Sequence, residues 1–370
     1  MKKIYSLFYV LIIALLVTNC SIEMSQATIA PPASTAETNP SNSSTSRLPT
    51  TQVPVTWGHL ELTGKLIYPS SIRENDLVVG TIQMLDLSSG DLTTLFSMPR
   101  AWIYYATLSP DAANMVMSYT PPPEPGHSAD RILYTMPLDG SAAPQPLFSP
   151  PTSDDRYTQV EWSPDGQYLY YVHYNVNNRL EGQLDPVFDI QRIRYLDGQP
   201  EPIADHAFWP RVSSDSTRIV YITVDPATAA NELAVANADG SDPQRVTLST
   251  PIPVEIIDAP IFSPDGQSIL FSVPSQAPTS QRNWFEKFMG IQIASAHDVP
   301  SDWWSVPVSG GVPTQLTNIQ TINLFASLSP DSQHIASLSG EGLFVMDLDG
   351  SNLTQLVSDP EVHGTVSWTP

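Results

Sequence analysis

The sequence predicts an all-β protein, a six-bladed β-propeller of four-stranded antiparallel blades. Three observations lead to this fold class: a short Ser-Pro-Asp phrase recurs along the chain, strand-like segments separate its copies, and the chain ends inside a further copy. Recurrence of a phrase with intervening strands is the signature of stacked or radially arranged units. Copies of the phrase begin at Ser109, Ser163, Ser213, Ser263 and Ser329.

Each repeat unit has the same plan. A short apolar strand runs into the Ser-Pro-Asp turn, a second strand rich in β-branched and aromatic residues follows, and a Gly turn joins a third strand to a fourth. Pro presets φ, Asp accepts bonds from the backbone N–H groups after it, and Gly tolerates positive φ. The complete units span about 104–149, 157–205, 207–249, 257–318 and 323–358.

The two ends of the chain together supply a sixth unit. Residues 64–97 contain three strands without a first one, and residues 363–370 contain a first strand without the other three. A propeller that does not close leaves unpaired strand edges. We therefore expect the C-terminal strand to pair with the N-terminal blade and to close the ring.

The phrase Trp/Phe-Ser-Pro-Asp-Gly, followed by an apolar strand and then Leu-Asp-Gly-Ser, resembles the repeat of TolB-like six-bladed propellers. The resemblance covers about residues 58–370 and implies a role through protein contacts in a bacterial envelope. The same repeat occurs in propeller domains of prolyl-oligopeptidase-type enzymes. The fourth unit departs from the phrase, with Ser214 in place of Pro and Ser216 in place of Gly, so we expect a normal blade with a less rigid turn.

The N-terminal segment resembles the export signal of a bacterial lipoprotein. Two Lys residues precede an apolar run over residues 4–17 that is short for a membrane span. We expect residues 1–19 to be a signal peptide, Cys20 to carry the lipid, and the Ser/Thr/Pro-rich residues 20–57 to be a disordered tether. An uncleaved N-terminal anchor is the alternative. Both place the propeller, residues 58–370, outside the cytoplasm and attached to a membrane of the bacterial cell envelope.

Composition limits the classes of partner. The chain has 16 basic and 38 acidic residues and a net charge of −22, which opposes binding to nucleic acid. Cys20 is the single cysteine, so no disulfide within one chain is possible. We expect a monomer without a cofactor or metal, whose partner is an envelope or cell-surface protein or a small ligand at the channel mouth.

The first strands are expected to surround the central channel. Counting back from the phrase gives two rings of residues. The ring four positions before the phrase comprises Tyr105, Gln159, Trp209, Ala259, Phe325 and Thr365, and the ring two positions before it comprises Thr107, Glu161, Arg211, Ile261, Ser327 and Ser367. Because Glu161 and Arg211 fall on adjacent blades, we expect them to approach each other near the channel.

Candidate binding residues fall on the face opposite the Ser-Pro-Asp turns. His206, Asp258 and His363 enter first strands and, with Trp209, are candidates for a channel-mouth site. A second candidate is the insertion 274–303 in the fifth blade, where a short helix would present Trp284 and Phe288. Exposed acidic loops, and aromatic residues packed on the blade's own edge, are the structural alternatives.

Two functions follow from these patterns. The first is a non-catalytic binding or scaffold propeller, membrane-tethered, with no catalytic residue. The second is a channel-mouth enzyme, a metal-dependent lyase or hydrolase acting on a glycan or peptide, which would require His206, Asp258 and His363 to converge. No Gly-x-Ser-x-Gly elbow or Gly-rich phosphate loop occurs in the sequence. The repeated Asp residues of the phrase are interpreted as turn residues rather than catalytic groups.

Overall fold

The computed structural model describes residues 49–74, 77–123, 131–179, 186–225, 230–252, 256–275, 300–322, 324–358 and 364–370. The chain divides into two units, Met1–Ser46 and Arg47–Pro370, and every described residue belongs to the second. Cys20, Trp284, Phe288 and His363 lie outside the described residues, so the predictions made for them stay predictions.

The described strands, in chain order, form six groups. Those of blade 1 and the segment before it are β1 (Thr50–Gln52), β2 (Lys65–Glu74), β3 (Leu77–Asp86) and β4 (Asp91–Pro99). Those of blade 2 are β5 (Trp102–Leu108), β6 (Asn114–Thr120), β7 (Ile132–Pro137) and β8 (Gln145–Pro146). Those of blade 3 are β9 (Asp155–Trp162), β10 (Tyr168–Arg179), β11 (Pro186–Arg194) and β12 (Glu201–Ala204).

The remaining strands belong to blades 4, 5 and 6 and to the closing segment. Blade 4 contains β13 (Ala207–Val212), β14 (Arg218–Val224), β15 (Asn231–Asn237) and β16 (Gln244–Arg245). Blade 5 contains β17 (Asp258–Phe262), β18 (Ser268–Pro274), β19 (Ser301–Pro307) and β20 (Thr314–Gln315). Blade 6 contains β21 (Phe325–Leu328), β22 (His334–Ser339), β23 (Gly342–Asp347) and β24 (Thr354–Ser358), and the last strand is β25 (Ser367–Thr369).

The predicted fold and ring closure are confirmed. Blades 2 to 6 are antiparallel four-stranded sheets in sequence order, and β25 pairs with β2 as the inner strand of blade 1. Lys65 lies opposite Thr369 in that pair. Gly64 precedes it with a φ of 87°, and a Cβ there would lie 2.1 Å from the Thr369 carbonyl oxygen. The closing strand therefore approaches the chain where only glycine fits.

The Ser-Pro-Asp turns share one hydrogen-bond pattern. At the first of them the Ser109 hydroxyl donates to Asp111 Oδ1, the Ala113 amide also donates to that oxygen, and the Asn114 amide donates to Ser109 Oγ. The fourth turn residue has positive φ in all five copies: Ala112, Gly166, Ser216, Gly266 and Ser332. These Asp residues are therefore structural, as the spacing indicates.

The departures in the fourth unit create contacts between blades. The Asp165 amide donates to Ser216 Oγ at 3.0 Å, and the Ser214 hydroxyl donates to the Pro264 carbonyl oxygen at 3.2 Å. Within the turn, Asp215 keeps the usual bonds from Ser213 and Thr217. The blade is normal, as expected, and its turn is bonded to both neighbouring turns.

The hydrophobic core lies between the blades. All five residues of β17 are buried, as are six of the seven in β18, because each sheet packs against a neighbour on both faces. Trp303 and Phe271 are fully buried in the fifth blade. Polar residues are also buried in this blade; Asp302, for example, is fully buried and accepts bonds from the Ile319 and Gln320 amides.

The folded body includes residues just before position 58. Strand β1 pairs with β4, with Thr50 opposite Thr93 and Gln52 opposite Asp91. Trp57 is 1% exposed and its indole N–H donates to the Leu87 carbonyl oxygen at 2.8 Å. Residues 50–57 therefore pack with blade 1, N-terminal to the boundary suggested by the repeat pattern.

Candidate functional site

The channel opens as a funnel on the face that carries the Ser-Pro-Asp turns, here called the turn face. The funnel has a volume of about 440 Å³ and is lined by all six blades, a volume within the range of ligand sites, about 300–1,000 Å³. Its wall includes Ser109, Pro164, Ser263, Pro330 and Trp368. The wall combines polar and apolar side chains, and many of its hydroxyls are engaged in the turn pattern, so its polar groups are largely bonded within the protein.

An ion pair lies deep in the funnel, as the register of the first strands predicts. Arg211 Nη1 donates to Glu161 Oε2 at 2.9 Å, and Arg211 Nη2 donates to the Ala326 carbonyl oxygen at 2.7 Å. Burial raises the pKa of Glu161, and the charge of Arg211 acts against this. Arg211 thereby ties blade 4 to blade 3 and, across the channel, to blade 6.

Three aromatic rings close the other end of the channel. Tyr105 contacts Trp209 and Phe325 edge to face, with ring centroids 5.4 and 6.0 Å apart, and the Trp209 and Phe325 centroids are 5.1 Å apart. Such pairs add to the burial energy of the rings. Burial also raises the pKa of the Tyr105 hydroxyl. We call these three residues the aromatic plug; they make the funnel blind.

The backbone of three first strands is bulged beside the plug. Gln159, Trp209 and Ala259 have φ values of 49°, 59° and 45°, and strand pairing shifts register there. Positive φ is uncommon for residues other than glycine and accompanies β-bulges. The Trp209 amide donates to Gln159 Oε1 at 2.7 Å. The bulges thus interlock neighbouring first strands at the level of the plug.

The structure places the candidates of the opposite face, the link face, in different settings. Trp209 is 3% exposed and belongs to the plug, and Asp258 is 1% exposed. Asp258 is close enough to raise the pKa of Tyr105 through its charge, after the larger effect of burial. His206 is half-buried with a φ of 51°, and its amide donates to Asp189 Oδ1. Trp209 and Asp258 therefore both lie near Tyr105.

A separate carboxylate on the link face holds a loop of blade 3. Asp155 accepts bonds from His173 Nε2 at 2.9 Å and from the Thr152 amide and hydroxyl at 2.8 Å. Burial acts to raise its pKa, but these bonds and one from Asn175 outweigh burial and lower the pKa to about 2. Its partners are Thr152, three residues earlier, and His173 and Asn175 on the adjacent strand β10.

Within the described part of the chain, no three His, Cys, Asp or Glu side chains are grouped to hold a metal ion. His363, the third residue that the enzyme hypothesis requires, falls outside that part. Sequence reasoning also directed attention to the link face, although the funnel lies on the turn face. The sequence signal for the funnel was the ring of residues two positions before the phrase, because that ring combines small hydroxyl residues with one ion pair.

Comparison with known proteins identifies structural relatives only. No family model and no curated protein matches the chain. TolB from Acinetobacter baumannii aligns over 83% of this chain and 67% of its own, with 16% identity and a TM-score of 0.57. A putative TolB from Agrobacterium tumefaciens aligns over 84% of this chain and 99% of its own, with 16% identity and a TM-score of 0.51.

This chain folds as a TolB-like six-bladed β-propeller. A structure described as a nidogen/laminin complex also aligns, over 82% of this chain and 97% of its own, with 8% identity and a TM-score of 0.53. At these identities the similarity establishes the fold, and propellers serve unrelated functions. No helix in the described part of this TolB-like chain is long and apolar enough to cross a membrane.

Proposed function

We propose that this protein is a membrane-tethered, extracytoplasmic binding or scaffold propeller that docks a protein partner or ligand in its funnel without catalysis. The observation that carries the proposal is the blind funnel itself, which all six blades build and the aromatic plug closes. A concave site formed by rigid strands is preorganised, so little ordering is required when a partner binds.

The chemistry of the funnel wall supports binding rather than bond cleavage. Its ionic groups, Glu161 and Arg211, are paired with each other, and the Ser109 and Ser263 hydroxyls donate to turn carboxylates. The solved TolB structures share the fold, and a TolB-like role through envelope protein contacts suits the expected lipid anchor at Cys20. The insertion 274–303, with Trp284 and Phe288, remains a second candidate contact element.

The test is affinity capture with the full chain from detergent-solubilised envelope membranes. Ser327, half-buried in the funnel wall, is replaced by Trp to fill the funnel; Ser97→Trp on the exposed part of β4 is the matched control. We expect Ser327→Trp to lose a partner that the wild type and Ser97→Trp both retain. Equal recovery of every partner by all three proteins would remove the funnel as the docking site.

The tether is tested separately. We expect Cys20→Ser to shift the protein from the membrane fraction to the soluble fraction of the producing bacterium. A variant that stays in the membrane fraction would favour an uncleaved anchor over the lipid.

A further inference from the structure

Five carboxylates lie on the turn face, each within two residues of the funnel wall, although none of them lines the cavity itself. The five turn Asp residues follow the residues of the funnel wall in sequence and lie on five different blades: Asp111, Asp165, Asp215, Asp265 and Asp331. Hydrogen bonds from Ser109 and Ser263 lower the pKa of Asp111 and of Asp265, and those from Ser213 and Thr217 lower that of Asp215 to about 2. Asp111, Asp215 and Asp265 are therefore negatively charged at neutral pH.

The cationic side chains near the mouth make contacts within the protein. Arg218 donates to the Gly266 carbonyl oxygen at 2.8 Å and lies over the ring of Phe262. Arg211 is committed to Glu161 and to a carbonyl oxygen. Lys65, at the start of β2, is half-buried beside the closing strand. Arg211 is neutralised by Glu161, and the two other cations are outnumbered by the five turn carboxylates, so the net charge of this part of the turn face is negative.

The interior of the funnel also contains a carboxylate, that of Glu161. Glu161 Oε2 accepts from Arg211, whereas its Oε1 has no hydrogen-bond partner among the described residues. Both Nη groups of Arg211 donate to protein oxygens, of Glu161 and of Ala326, so Glu161 Oε1 is the oxygen of this pair that can accept a bond from a ligand. A donor that enters the funnel would pass the turn carboxylates beside the mouth and then reach Glu161 inside.

The arrangement suits an extended cationic segment better than a metal ion. The turn carboxylates are distributed over separate blades, and each Oδ1 already accepts bonds from a Ser hydroxyl and from a backbone amide. A divalent ion instead needs several oxygen ligands within about 2.0–2.6 Å. Distributed charge over a concave surface attracts and orients a charged partner.

We infer that the funnel takes a basic segment of a protein partner, with a Lys or Arg side chain directed towards Glu161. This inference rests on the proposed function, because it names the chemistry of the partner at the same site. The funnel volume of about 440 Å³ accommodates side chains rather than a folded domain. A partner would therefore insert a protruding loop or an extended terminus.

The test measures binding of a labelled eight-residue peptide of alternating Gly and Lys to the full chain, with the Gly/Glu peptide and calcium chloride as comparison ligands. The mouth variant is Asp111→Asn/Asp265→Asn/Asp331→Asn; Asn keeps the acceptor oxygen of the turn and removes the charge. The matched control is Asp139→Asn/Asp239→Asn/Asp349→Asn, in the outer hairpins of the same face, where each carboxylate also accepts from a Ser amide two residues on.

We expect one Gly/Lys peptide to bind per chain, an at least tenfold loss of affinity in the mouth variant, less than threefold loss in the outer control, and loss of binding in Ser327→Trp. Absence of peptide binding, equal losses in the two triple variants, or binding to Ser327→Trp would each overturn the inference. So would binding of calcium without the peptide.

The two proposals fail separately. An envelope partner that is lost in Ser327→Trp but retained by the mouth variant would support the proposed function. The same result would refute the inference that the partner inserts a basic segment. Peptide binding without any funnel-dependent partner would refute the docking function and leave the charge preference of the funnel in place.

Discussion

The two ends of the channel differ although the same six inner strands build both. At the turn face, small hydroxyl residues and one ion pair line an open funnel, whereas towards the link face Tyr105, Trp209 and Phe325 fill the axis. The plug residues and the funnel residues belong to rings that lie two positions apart along each first strand, and alternate residues share a strand face. Side-chain size at equivalent positions therefore decides which end of the channel is accessible.

The largest expected effect comes from the closed end. Phe325→Ala removes a ring that is 4% exposed, and we expect it to lower the free energy of unfolding by about 3–5 kcal/mol. Trp102, 44% exposed at the start of β5, is the control, and Trp102→Ala should cost less than about 1 kcal/mol. Denaturant unfolding measures both; similar losses would mean that the plug is not part of the core.

The next prediction concerns the ion pair at the open end of the channel. Arg211→Met leaves Glu161 without its cation, and we expect a loss of about 2–3 kcal/mol because a buried carboxylate is then uncompensated. The double variant Glu161→Gln/Arg211→Met should recover at least half of that loss, since both charges are gone. A double-mutant cycle by denaturant unfolding gives the coupling; strictly additive losses would show that the pair does not act as a unit.

A third prediction compares carboxylates of the link face. The pKa of Asp155 is lowered to about 2 in the folded protein, so its stabilisation is present above the ordinary Asp value and is lost as pH falls from about 4 to about 2. A shift of nearly two units corresponds to about 2 kcal/mol. Asp155→Asn should lose this much at pH 7 and converge with the wild type near pH 2.

The neighbouring Asp154, half-buried and bonded to Asn177, supplies the control for that experiment. Asp154→Asn should change the free energy of unfolding by less than about 0.5 kcal/mol. A constant difference between Asp155→Asn and the wild type across the acid range would contradict the assignment of the stabilisation to an ionised carboxylate.

The smallest expected effect separates two serines of the turn face. Ser216 and Ser332 have nearly equal φ values, 59° and 61°, and Gly relieves this strain at either position. Ser216 Oγ also accepts a bond from the Asp165 amide of the preceding blade. Ser332→Gly should therefore stabilise the protein by up to about 1 kcal/mol, and Ser216→Gly by less. A larger gain at Ser216 would mean that the bond between blades contributes nothing.

Much of the site could be located before the structure was known, because the repeated phrase aligns the first strands of the blades with one another. The proximity of Glu161 and Arg211 and the gathering of Tyr105, Trp209 and Phe325 around the channel both follow from counting back from Ser109, Ser163, Ser213 and Ser329. The bulges at Gln159 and Trp209 could not be predicted by counting along the chain, since they depend on how the first strands pair with the second strands. The bond between Asp155 and His173 could not be predicted either, because it depends on how β9 pairs with β10.

The sequence by itself determined the number of blades, the strand order, the turns and the closure, since each depends on residues that are near in the chain or repeat in register. Only the tertiary structure decided that the channel is blind and that its open end lies on the turn face. Those properties depend on how side chains from all six blades share one axis. The space left there is set by the combined volumes and charges of residues that are distant in sequence.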